Sequence, residues 1–540
     1  MTAIDPVVED QSTIAAFLGD PATHGGAAVE RIDTHISMVF LAGDTVYKVK
    51  RAVRFGYLDF STLQKREAAC RAEIALNRRT APDLYRRVAA IARAPSGALA
   101  LDGPEDGPDG PGETVEWAVV MRRFEQDGLF DRLAERGALT PAHVRDAVTA
   151  AAALHRTAAS VFALPAGSTA AGGYPLADGT GGLKSAMIAN LDELTGRPEL
   201  FPPDTLATLR GTSLAALDAN AALLEGRRAR GYVRRCHGDL HLRNICLIDG
   251  RAILFDAIEF SEALASIDVL YDFAFLLMDL EYRGLRALAN LALNVWLPLA
   301  PGGAPAALEA LAALPVMLAS RAQVRAKVAA SAEAAQPGAA GRAAMRDAAR
   351  AYFALSQSFL EPLPPRLVTV GGLSGSGKST LARALAPELG RAPGAVHLRS
   401  DTIRKEMFGV VETERLPPAA YTREMSDRVY GEIHARARLA LAAGQAVVVD
   451  AVSSDAAGRA ELRRLAERAG VPFTGIWLDA PADTLKARVT ARSGDASDAD
   501  AAVVAMQLVE ETGPIDWRRL DAGGDFGAIL AAARDFLAAD

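Results

Sequence analysis

The stretch Gly372-Leu-Ser-Gly-Ser-Gly-Lys-Ser379 has the pattern G-x-x-x-x-G-K-S, and it decides the fold of the last third of the chain. Strand-favouring residues precede it and helix-favouring residues follow it, which is the context that a phosphate-binding loop (P-loop) requires. Glycine lets the backbone curl so that several N–H groups face one phosphate chain, and the following helix adds its dipole. The pattern therefore predicts a nucleotide-binding loop between a strand and a helix.

Two side chains of this loop have specific expected roles. Lys378 would contact the β- and γ-phosphates of ATP, and Ser379 would bind Mg²⁺. The alternative is a Gly/Ser loop that precedes a helix and binds nothing. The predicted nucleotide-binding positions are Gly372, Leu373, Ser374, Gly375, Ser376, Gly377, Lys378, Ser379 and Thr380.

Strands and helices alternate on both sides of this loop. The predicted strands cover 366–370, 396–399, 446–450 and 473–478, and the predicted helices cover 378–389, part of 420–443, and 459–469. This order predicts an α/β domain with a parallel sheet over residues 366–540.

Two aspartates follow predicted strands of this domain. Asp450 ends an apolar strand, where a carboxylate would bind the metal ion. Asp401 follows the second strand, and the carboxyl ends of neighbouring parallel strands share one crevice. Asp401 would therefore accept a proton from the acceptor hydroxyl, and Arg404 would bind the substrate or its phosphate. The alternatives are a simple strand-end aspartate and a helix N-cap beside a surface arginine.

Arg488 and Arg492 lie four residues apart after the fourth strand. This spacing predicts that both lie on one face of a helix. Basic residues at this position suit a lid that closes over the transferring phosphate, although a solvated basic face has the same pattern.

These motifs resemble the small P-loop kinases of the zeta-toxin, chloramphenicol phosphotransferase, gluconate kinase and polynucleotide 5′-kinase group. The resemblance covers about 366–540 and rests on the P-loop, Asp401 with Arg404, Asp450 and the arginine-bearing lid. It implies phosphorylation of a hydroxyl group and does not choose the substrate.

A second group of motif residues lies in Cys236-His-Gly-Asp-Leu-His-Leu-Arg-Asn244, which is followed by Asp256. This is the spacing of a protein-kinase-like catalytic loop and metal-binding aspartate. Asp239 would orient and deprotonate an acceptor hydroxyl, Asn244 and Asp256 would hold Mg²⁺, and His237 would brace the loop.

Two other readings of this loop stay open. His237, Asp239 and His241 could be metal ligands, although no further His/Asp cluster has the spacing to complete such a site. The loop could also be a polar turn without a ligand.

The residues upstream favour the kinase-like reading. The pattern predicts a hairpin with strands 37–42 and 45–50, which places Lys48 and Lys50 on one strand face. One of them, with Lys48 favoured, would reach the α- and β-phosphates and pair with Glu73 on a helix over about 62–79. Met121 begins a predicted hinge, over 121–124, whose backbone would meet adenine.

The region from about Thr34 to Leu360 resembles the aminoglycoside phosphotransferase and choline kinase superfamily, through its catalytic loop, Asp256 and the stretch 268–272. The whole layout resembles fusions of such a domain to a P-loop kinase. The fold class is then an α+β protein-kinase-like two-lobed domain followed by an α/β P-loop domain. The first domain would span 1–360, with a small lobe at about 30–124 and a helical lobe at about 125–360. Helices over 290–334 would line its acceptor pocket.

Length and composition set further bounds. A chain of 540 residues exceeds one hydrophobic core, so we expect two to four domains. The net charge of −7 gives no support for a general nucleic-acid surface, although a local basic groove stays open. The richest apolar run, 269–280, contains two aspartates, so no membrane contact is expected. Three cysteines without paired spacing favour a reducing cytoplasm.

The resulting hypothesis is a bifunctional kinase that uses ATP and Mg²⁺ at two separate sites to phosphorylate small-molecule hydroxyl groups. One alternative is a nucleic-acid 5′-hydroxyl kinase in the P-loop domain with the first domain as a helper. Another is a nucleotide-sensing regulatory protein. The acceptors and the oligomeric state stay open.

Overall fold

The chain forms two compact units, Met1–Asp279 and Leu280–Asp540. The helices from 286 to 358 group with the second unit, and the predicted division near 361–365 stays a prediction. The Pro/Gly-rich stretch 102–112, whose composition is typical of a surface loop, lies outside the described residues. The computed structural model describes residues 7–55, 58–94, 96–101, 113–162, 180–334, 336, 338–492 and 494–539.

The first unit contains a six-stranded antiparallel sheet and several short strand pairs. Its strands are β1 (Val29–Asp33), β2 (Ser37–Ala42), β3 (Thr45–Lys50), β4 (Arg54–Phe55), β5 (Leu58–Asp59), β6 (Tyr85–Arg93), β7 (Leu99–Leu101), β8 (Glu113–Arg122), β9 (Val233–Arg235), β10 (Ile245–Ile248), β11 (Arg251–Leu254) and β12 (Ser266–Asp268). The order in the large sheet is β1-β2-β3-β8-β6-β7. The predicted hairpin forms as β2 and β3, with Ser37 opposite Lys50.

The helices of the first unit place the second group of motif residues beside this sheet. They are α1 (Ser12–Gly19), α2 (Leu63–Asn77), α3 (Phe130–Glu135), α4 (Pro141–Thr157), α5 (Thr180–Leu194), α6 (Pro203–Ala219), α7 (Ala221–Ala229), α8 (Glu262–Ala265) and α9 (Val269–Tyr282). The Thr62 side chain caps α2 by accepting the Lys65 N–H. Cys70 and Ile74 of α2 join a core cluster with Val88 and Val119 of the sheet, so α2 presents Glu73 from a fixed position.

The second unit contains a five-stranded parallel sheet, as the sequence predicted. Its strands are β13 (Leu367–Gly372), β14 (Val396–Arg399), β15 (Val447–Asp450), β16 (Phe473–Asp479) and β17 (Arg518–Asp521), of which β17 was not predicted. The order is β14-β15-β13-β16-β17. The P-loop strand β13 is therefore central, and the strands that end at Arg399 and Asp450 lie next to each other.

Helices surround this sheet and extend N-terminal to it. They are α10 (Arg286–Leu299), α11 (Gly303–Ala310), α12 (Leu314–Glu333), α13 (Ala339–Ser358), α14 (Lys378–Leu385), α15 (Ser400–Met407), α16 (Arg423–Ala442), α17 (Ala456–Ala469), α18 (Ala482–Ala491), α19 (Ala501–Val509) and α20 (Phe526–Ala539). Buried Leu381 and Leu385 of α14 pack with Val368, Val370 and Val448 of the strands.

Two asparagines of α10 cover the open edge of β14. Asn294 Oδ1 accepts the His397 N–H at 2.7 Å, and its Nδ2 lies 3.2 Å from the Ala395 carbonyl oxygen. Asn290 Nδ2 donates to the same carbonyl at 2.9 Å. An edge strand exposes such N–H and C=O groups, and the asparagine amides take the place of a sixth strand. Asn290 begins the range 290–334 that was predicted to line the acceptor pocket, and its side chain binds the edge of the parallel sheet.

The stretch Gly303–Glu333 is long and apolar enough, by length and composition, to cross a membrane. Among the described residues this stretch, and not 269–280, is the one that meets the test, which corrects the expectation from the sequence. Within the structure, 67% of its apolar window is buried. A mostly buried core helix passes the same test, and the burial of this window is that of a core helix.

Candidate active sites

In the first unit, the two lysines of β3 share Glu73 as a partner. Lys48 Nζ lies 2.8 Å from Glu73 Oε1 and 2.5 Å from Asp256 Oδ1. Lys50 Nζ lies 2.5 Å from Glu73 Oε2 and also pairs with Glu259. The Lys48 side chain is 14% exposed, whereas that of Lys50 is fully buried. Lys48 is therefore the lysine that joins Glu73 to the predicted metal-binding aspartate and stays accessible.

The charges of this cluster stabilise one another. Burial opposes the charge on Lys48, but the Asp256 and Glu73 carboxylates outweigh burial and hold the pKa of Lys48 well above its ordinary value. Burial would raise the pKa of Glu73, yet Lys48 and Lys50 lower it to about 2. Burial raises the pKa of Glu259 even though Lys50 acts against it. Sequence reasoning missed Glu259, and its place three residues after Asp256 was the available signal.

The predicted catalytic loop brings Asp239 and Asn244 together. Asn244 Nδ2 donates to the Asp239 backbone carbonyl at 2.9 Å and to Asp239 Oδ2 at 3.0 Å. His241 Nε2 lies 3.3 Å from the same carboxylate oxygen. Because the Asn244 nitrogen faces Asp239, its amide oxygen is the atom that can bind a cation.

Asp272 of α9 fixes the backbone of this loop. Its carboxylate accepts the Gly238 N–H at 2.8 Å and the His237 N–H at 3.2 Å, and it lies 3.1 Å from His155 Nε2. The His155, Cys236 and Asp272 ligand atoms lie within 4.8 Å of one another, close enough for a shared metal ion. The backbone N–H groups already take both oxygens of Asp272, so we interpret the group as a buried support for the loop.

The alternative metal site at His237, Asp239 and His241 has little support. His237 Nε2 lies 2.9 Å from the Phe255 carbonyl oxygen, and its Nδ1 lies 3.3 Å from the Asp239 backbone N. Both ring nitrogens therefore have backbone partners. Their positions fit the predicted bracing role of His237.

Asp256 adopts a backbone conformation that is rare outside glycine, with φ 61°. Hydrogen bonds on each side hold it: the Asp256 N–H donates to Tyr85 Oη at 3.1 Å, and the Ala257 N–H donates to Asn77 Oδ1 at 2.8 Å. Such strained residues cluster at functional sites, where the surroundings enforce them. The conformation leaves the Asp256 carboxylate 42% exposed and beside Lys48.

Met121 lies inside the sheet core with 7% exposure. The next two backbone N–H groups also have partners, because Arg122 donates to the Leu84 carbonyl at 2.8 Å and Arg123 to the Asp44 carbonyl at 2.9 Å. The N–H groups of Arg122 and Arg123 therefore have partners within the protein, and contact of the predicted hinge with adenine stays a prediction.

In the second unit, the predicted P-loop runs from β13 into α14. Gly372, Gly375 and Gly377 have φ of 135°, 84° and 93°. A Cβ on Gly372 would lie 2.6 Å from the Leu478 carbonyl oxygen, and one on Gly375 would lie 2.5 Å from that of Leu485. Conformation therefore favours glycine at all three positions, and the close approach of neighbouring backbone also requires it at Gly372 and Gly375.

Lys378 bridges its own loop, since its Nζ donates to the Leu373 carbonyl at 2.9 Å. Burial lowers the pKa of Lys378, although Asp450 and Asp401 act in the other direction. Ser376 Oγ is buried without a hydrogen-bond partner among the described residues, and Asp450 Oδ2 has only longer contacts, with His397 at 3.4 Å and Arg399 at 3.6 Å. Buried oxygens without short hydrogen bonds, close to Lys378 in the loop, fit a site that takes Mg²⁺ and phosphate.

Asp450 and Asp401 meet at the ends of adjacent strands, on either side of Arg399. Arg399 lies 3.6 Å from Asp450, 3.9 Å from Asp401 and 2.6 Å from Asp495. Burial raises the pKa of Asp401, with Arg399 acting against it. Burial would also raise the pKa of Asp450, but His397 at 3.4 Å, Arg399 and Lys378 lower it. Sequence reasoning missed Arg399 and His397, although both belong to the predicted strand 396–399.

Arg404 lies next to this pair but is mostly enclosed. It is 7% exposed, its Nη1 donates to the Ala420 carbonyl at 2.5 Å, and its guanidinium lies 5.0 Å from the centre of the Tyr421 ring. It therefore braces the segment around Tyr421, and its Nε has no hydrogen-bond partner among the described residues.

The two lid arginines do not share a helix face, because α18 ends at Ala491 and Arg492 is extended. This corrects the prediction. Arg488 Nη1 lies 3.5 Å from the Gly375 carbonyl oxygen of the P-loop. Arg492 instead lies 3.5 Å from Asp495 and donates to the Ala499 carbonyl at 3.0 Å.

Three basic residues of α12, Arg321, Arg325 and Lys327, are buried or half-buried. Arg321 is 5% exposed, and the Arg325 guanidinium lies 5.6 Å from the Tyr352 ring centre. Lys327 is half-buried.

Residues 367–511 match a sequence family described as an AAA domain. A stretch of 117 residues is 41% identical to the adenylyl-sulfate kinase of Myxococcus xanthus and covers 22% of this chain and 59% of that enzyme. An uncharacterized protein of Mycobacterium tuberculosis strain H37Rv, Rv2004c, is 29% identical over 500 residues, which cover 91% of this chain and 92% of that protein.

Among solved structures, a choline/ethanolamine kinase family protein from Mesorhizobium loti is similar over 65% of this chain and 98% of its own, with 16% identity and a TM-score of 0.36. The comparisons confirm the predicted enzyme class, a phosphotransferase with an alcohol group as acceptor, and a P-loop kinase fold with a parallel sheet in the second unit. The finer superfamily assignments and the two-lobed form of the first domain stay predictions.

Proposed function

We propose that the chain is a bifunctional kinase with two separate sites, each of which transfers the γ-phosphate of ATP to a hydroxyl group of a small molecule. The observation that carries the proposal is the presence of a complete set of groups in each unit. The first unit joins Lys48, Glu73 and Asp256 near a loop with Asp239 and Asn244. The second unit has a P-loop lysine with Asp450 and Asp401.

At the first site, Lys48 binds the α- and β-phosphates, and Glu73 holds the lysine in place. Asn244 and Asp256 would hold Mg²⁺, which would neutralise charge on the phosphates. The Asp239 carboxylate orients the acceptor hydroxyl and accepts its proton. Asp272 keeps the loop backbone fixed, so that Asp239 and Asn244 keep their relative positions.

At the second site, the P-loop N–H groups and Lys378 bind the phosphate chain. Ser379 and Asp450 would hold Mg²⁺, again to neutralise phosphate charge. Asp401 accepts the proton of the acceptor, and its raised pKa suits a general base. Arg488 lies at the P-loop and stabilises charge on the transferring group.

The acceptor of the second site is proposed to carry an anionic group besides its hydroxyl. The Myxococcus relative is named for a sulfated nucleotide acceptor. In this chain, Arg399 at the Asp401 edge has Asp495 as its closest carboxylate partner, at 2.6 Å. An anionic acceptor could take the place of Asp495 at this guanidinium. Buried single cysteines fit a cytoplasmic enzyme.

Incubation with γ-labelled ATP, Mg²⁺ and a metabolite extract tests the proposal. Wild type should label two products, Lys378→Ala should remove one of them, and Asp239→Ala the other. Arg383→Ala on α14 and Asp204→Ala on α6, both exposed, serve as matched controls. If either site variant removed both products, two independent sites would be wrong. Label on 5′-hydroxyl oligonucleotides would favour the nucleic-acid kinase instead.

A further inference from the structure

Gln507 of α19 makes a hydrogen bond with the backbone of the P-loop. The Ser374 N–H donates to Gln507 Oε1 at 2.8 Å, across 133 residues of sequence. The donor is a backbone N–H, so the atom that faces it must be the amide oxygen. Gln507 belongs to none of the motifs described above.

The neighbours of Ser374 contact the same pair of helices. Leu373 packs against a core cluster of Leu485, Val489 and Val504, which belong to α18 and α19. Gly375 approaches α18 so closely that a Cβ there would lie 2.5 Å from the Leu485 carbonyl oxygen. Three consecutive P-loop residues, 373–375, are therefore held by α18 and α19.

The first half of the P-loop, residues 373–375, and the second half, which leads into α14, have different supports. The second half enters α14, where Gly377 is the residue before the first helical turn. The first half has no helix of its own, and Lys378 reaches across to the Leu373 carbonyl. A phosphate-binding loop works through N–H groups that are already oriented when the nucleotide arrives. A partner for the Ser374 N–H restricts rotation of the adjoining peptide groups.

We propose that Gln507 is a positioning residue of the P-loop site, which fixes the first half of the loop for nucleotide phosphate through the Ser374 N–H. The inference rests on the proposed function of this site. It makes α19 part of the nucleotide site: α19 can leave the P-loop only when this hydrogen bond breaks.

Gln507→Met tests the inference, because methionine keeps the length and packing of the side chain but cannot accept this hydrogen bond well. Full-length protein with Lys48→Ala would be used, so that the first site is silent. Binding of a non-hydrolysable ATP analogue with Mg²⁺ is measured by calorimetry, and KM and kcat by transfer to the acceptor labelled at the second site. The dissociation constant of the analogue and the KM for ATP should rise about five- to tenfold, while kcat stays within about twofold of the parent value.

Met506→Ala, an exposed neighbour on α19, is the matched control and should leave both values unchanged. Equal affinity in Gln507→Met and the parent protein would overturn the inference. A lower unfolding temperature together with a lower kcat and an unchanged KM would also overturn it, because Gln507 would then serve only the fold. If Lys378→Ala left nucleotide binding intact in the parent protein, the proposed P-loop site itself would be wrong.

Discussion

Asn294 should be a stability determinant of the second unit although it lies in a helix far upstream of the parallel sheet. We predict that Asn294→Ala lowers the free energy of unfolding of this unit. The substitution removes the acceptor of the His397 N–H, a bond of 2.7 Å, and one of two donors to the Ala395 carbonyl oxygen. Asn290 still serves that carbonyl, so the His397 N–H is the group left without a partner.

The expected loss follows from that single orphaned group. A buried donor without a partner costs about 1–3 kcal/mol, and the lost second bond to Ala395 adds little because Asn290 remains. We therefore expect a loss of about 2 kcal/mol, which lies well outside the usual range of about 0.5 kcal/mol for surface substitutions. Asn294→Asp keeps an acceptor for the His397 N–H and should lose less.

Urea unfolding followed by tryptophan fluorescence can measure this difference. Three of the four tryptophans, Trp296, Trp477 and Trp517, belong to the second unit, so the signal reports mainly on it. The midpoint should fall while the slope against urea stays the same, because the unfolded surface does not change. A loss below about 0.5 kcal/mol for Asn294→Ala, or an equal loss for Asn294→Asp, would refute this reasoning.

Other residues give further tests. Lys48→Met should abolish transfer at the first site with little change in stability. Lys50→Met should instead destabilise the first unit by about 3–5 kcal/mol, because it leaves Glu259 buried without its cation. A transfer assay and thermal unfolding distinguish the two effects. Asp401 must be deprotonated to act as a base, and burial raises its pKa. The kcat/KM of the second site should therefore fall as the pH falls through that raised pKa. A pH-rate profile measures this, and kcat/KM that stays constant down to the ordinary aspartate pKa would contradict it. Gly375→Ala should weaken nucleotide binding more than tenfold, because its Cβ would lie 2.5 Å from the Leu485 carbonyl oxygen and its φ is +84°. Calorimetry with an ATP analogue measures the loss. Gly431→Ala is the control, because a Cβ at Gly431 would have no atom within 4 Å.

Local patterns were enough to predict much of the fold. The hairpin of β2 and β3 follows from residues that alternate around a Gly-Asp turn, and the parallel sheet follows from strands and helices in alternation. The P-loop has a fixed sequence because its glycines meet strict limits of conformation and space. Position after a strand was also enough to bring Asp401 and Asp450 to one edge.

Contacts between distant residues were beyond such patterns. Nothing in the sequence near Asn294 or Gln507 indicates that one amide replaces a strand and the other holds a loop. The choice between Lys48 and Lys50 also depended on geometry, because both lie on one face of β3 and only the three-dimensional position of Asp256 separates them. Spacing placed Arg492 on a helix that in fact ends one residue earlier.

The two candidate sites hold their lysines in opposite electrostatic states. Lys48 already has two carboxylate partners, which hold its pKa well above the ordinary value despite burial. Lys378 has a backbone carbonyl as its hydrogen-bond partner, and burial lowers its pKa. A phosphate chain at Lys48 must compete with existing ion pairs, whereas one at Lys378 adds negative charge that offsets the effect of burial on the lysine. A ligand that binds only the folded state stabilises it. We therefore expect a saturating ATP analogue to raise the unfolding temperature of the second unit more than that of the first, and calorimetric shifts of equal size would contradict this view.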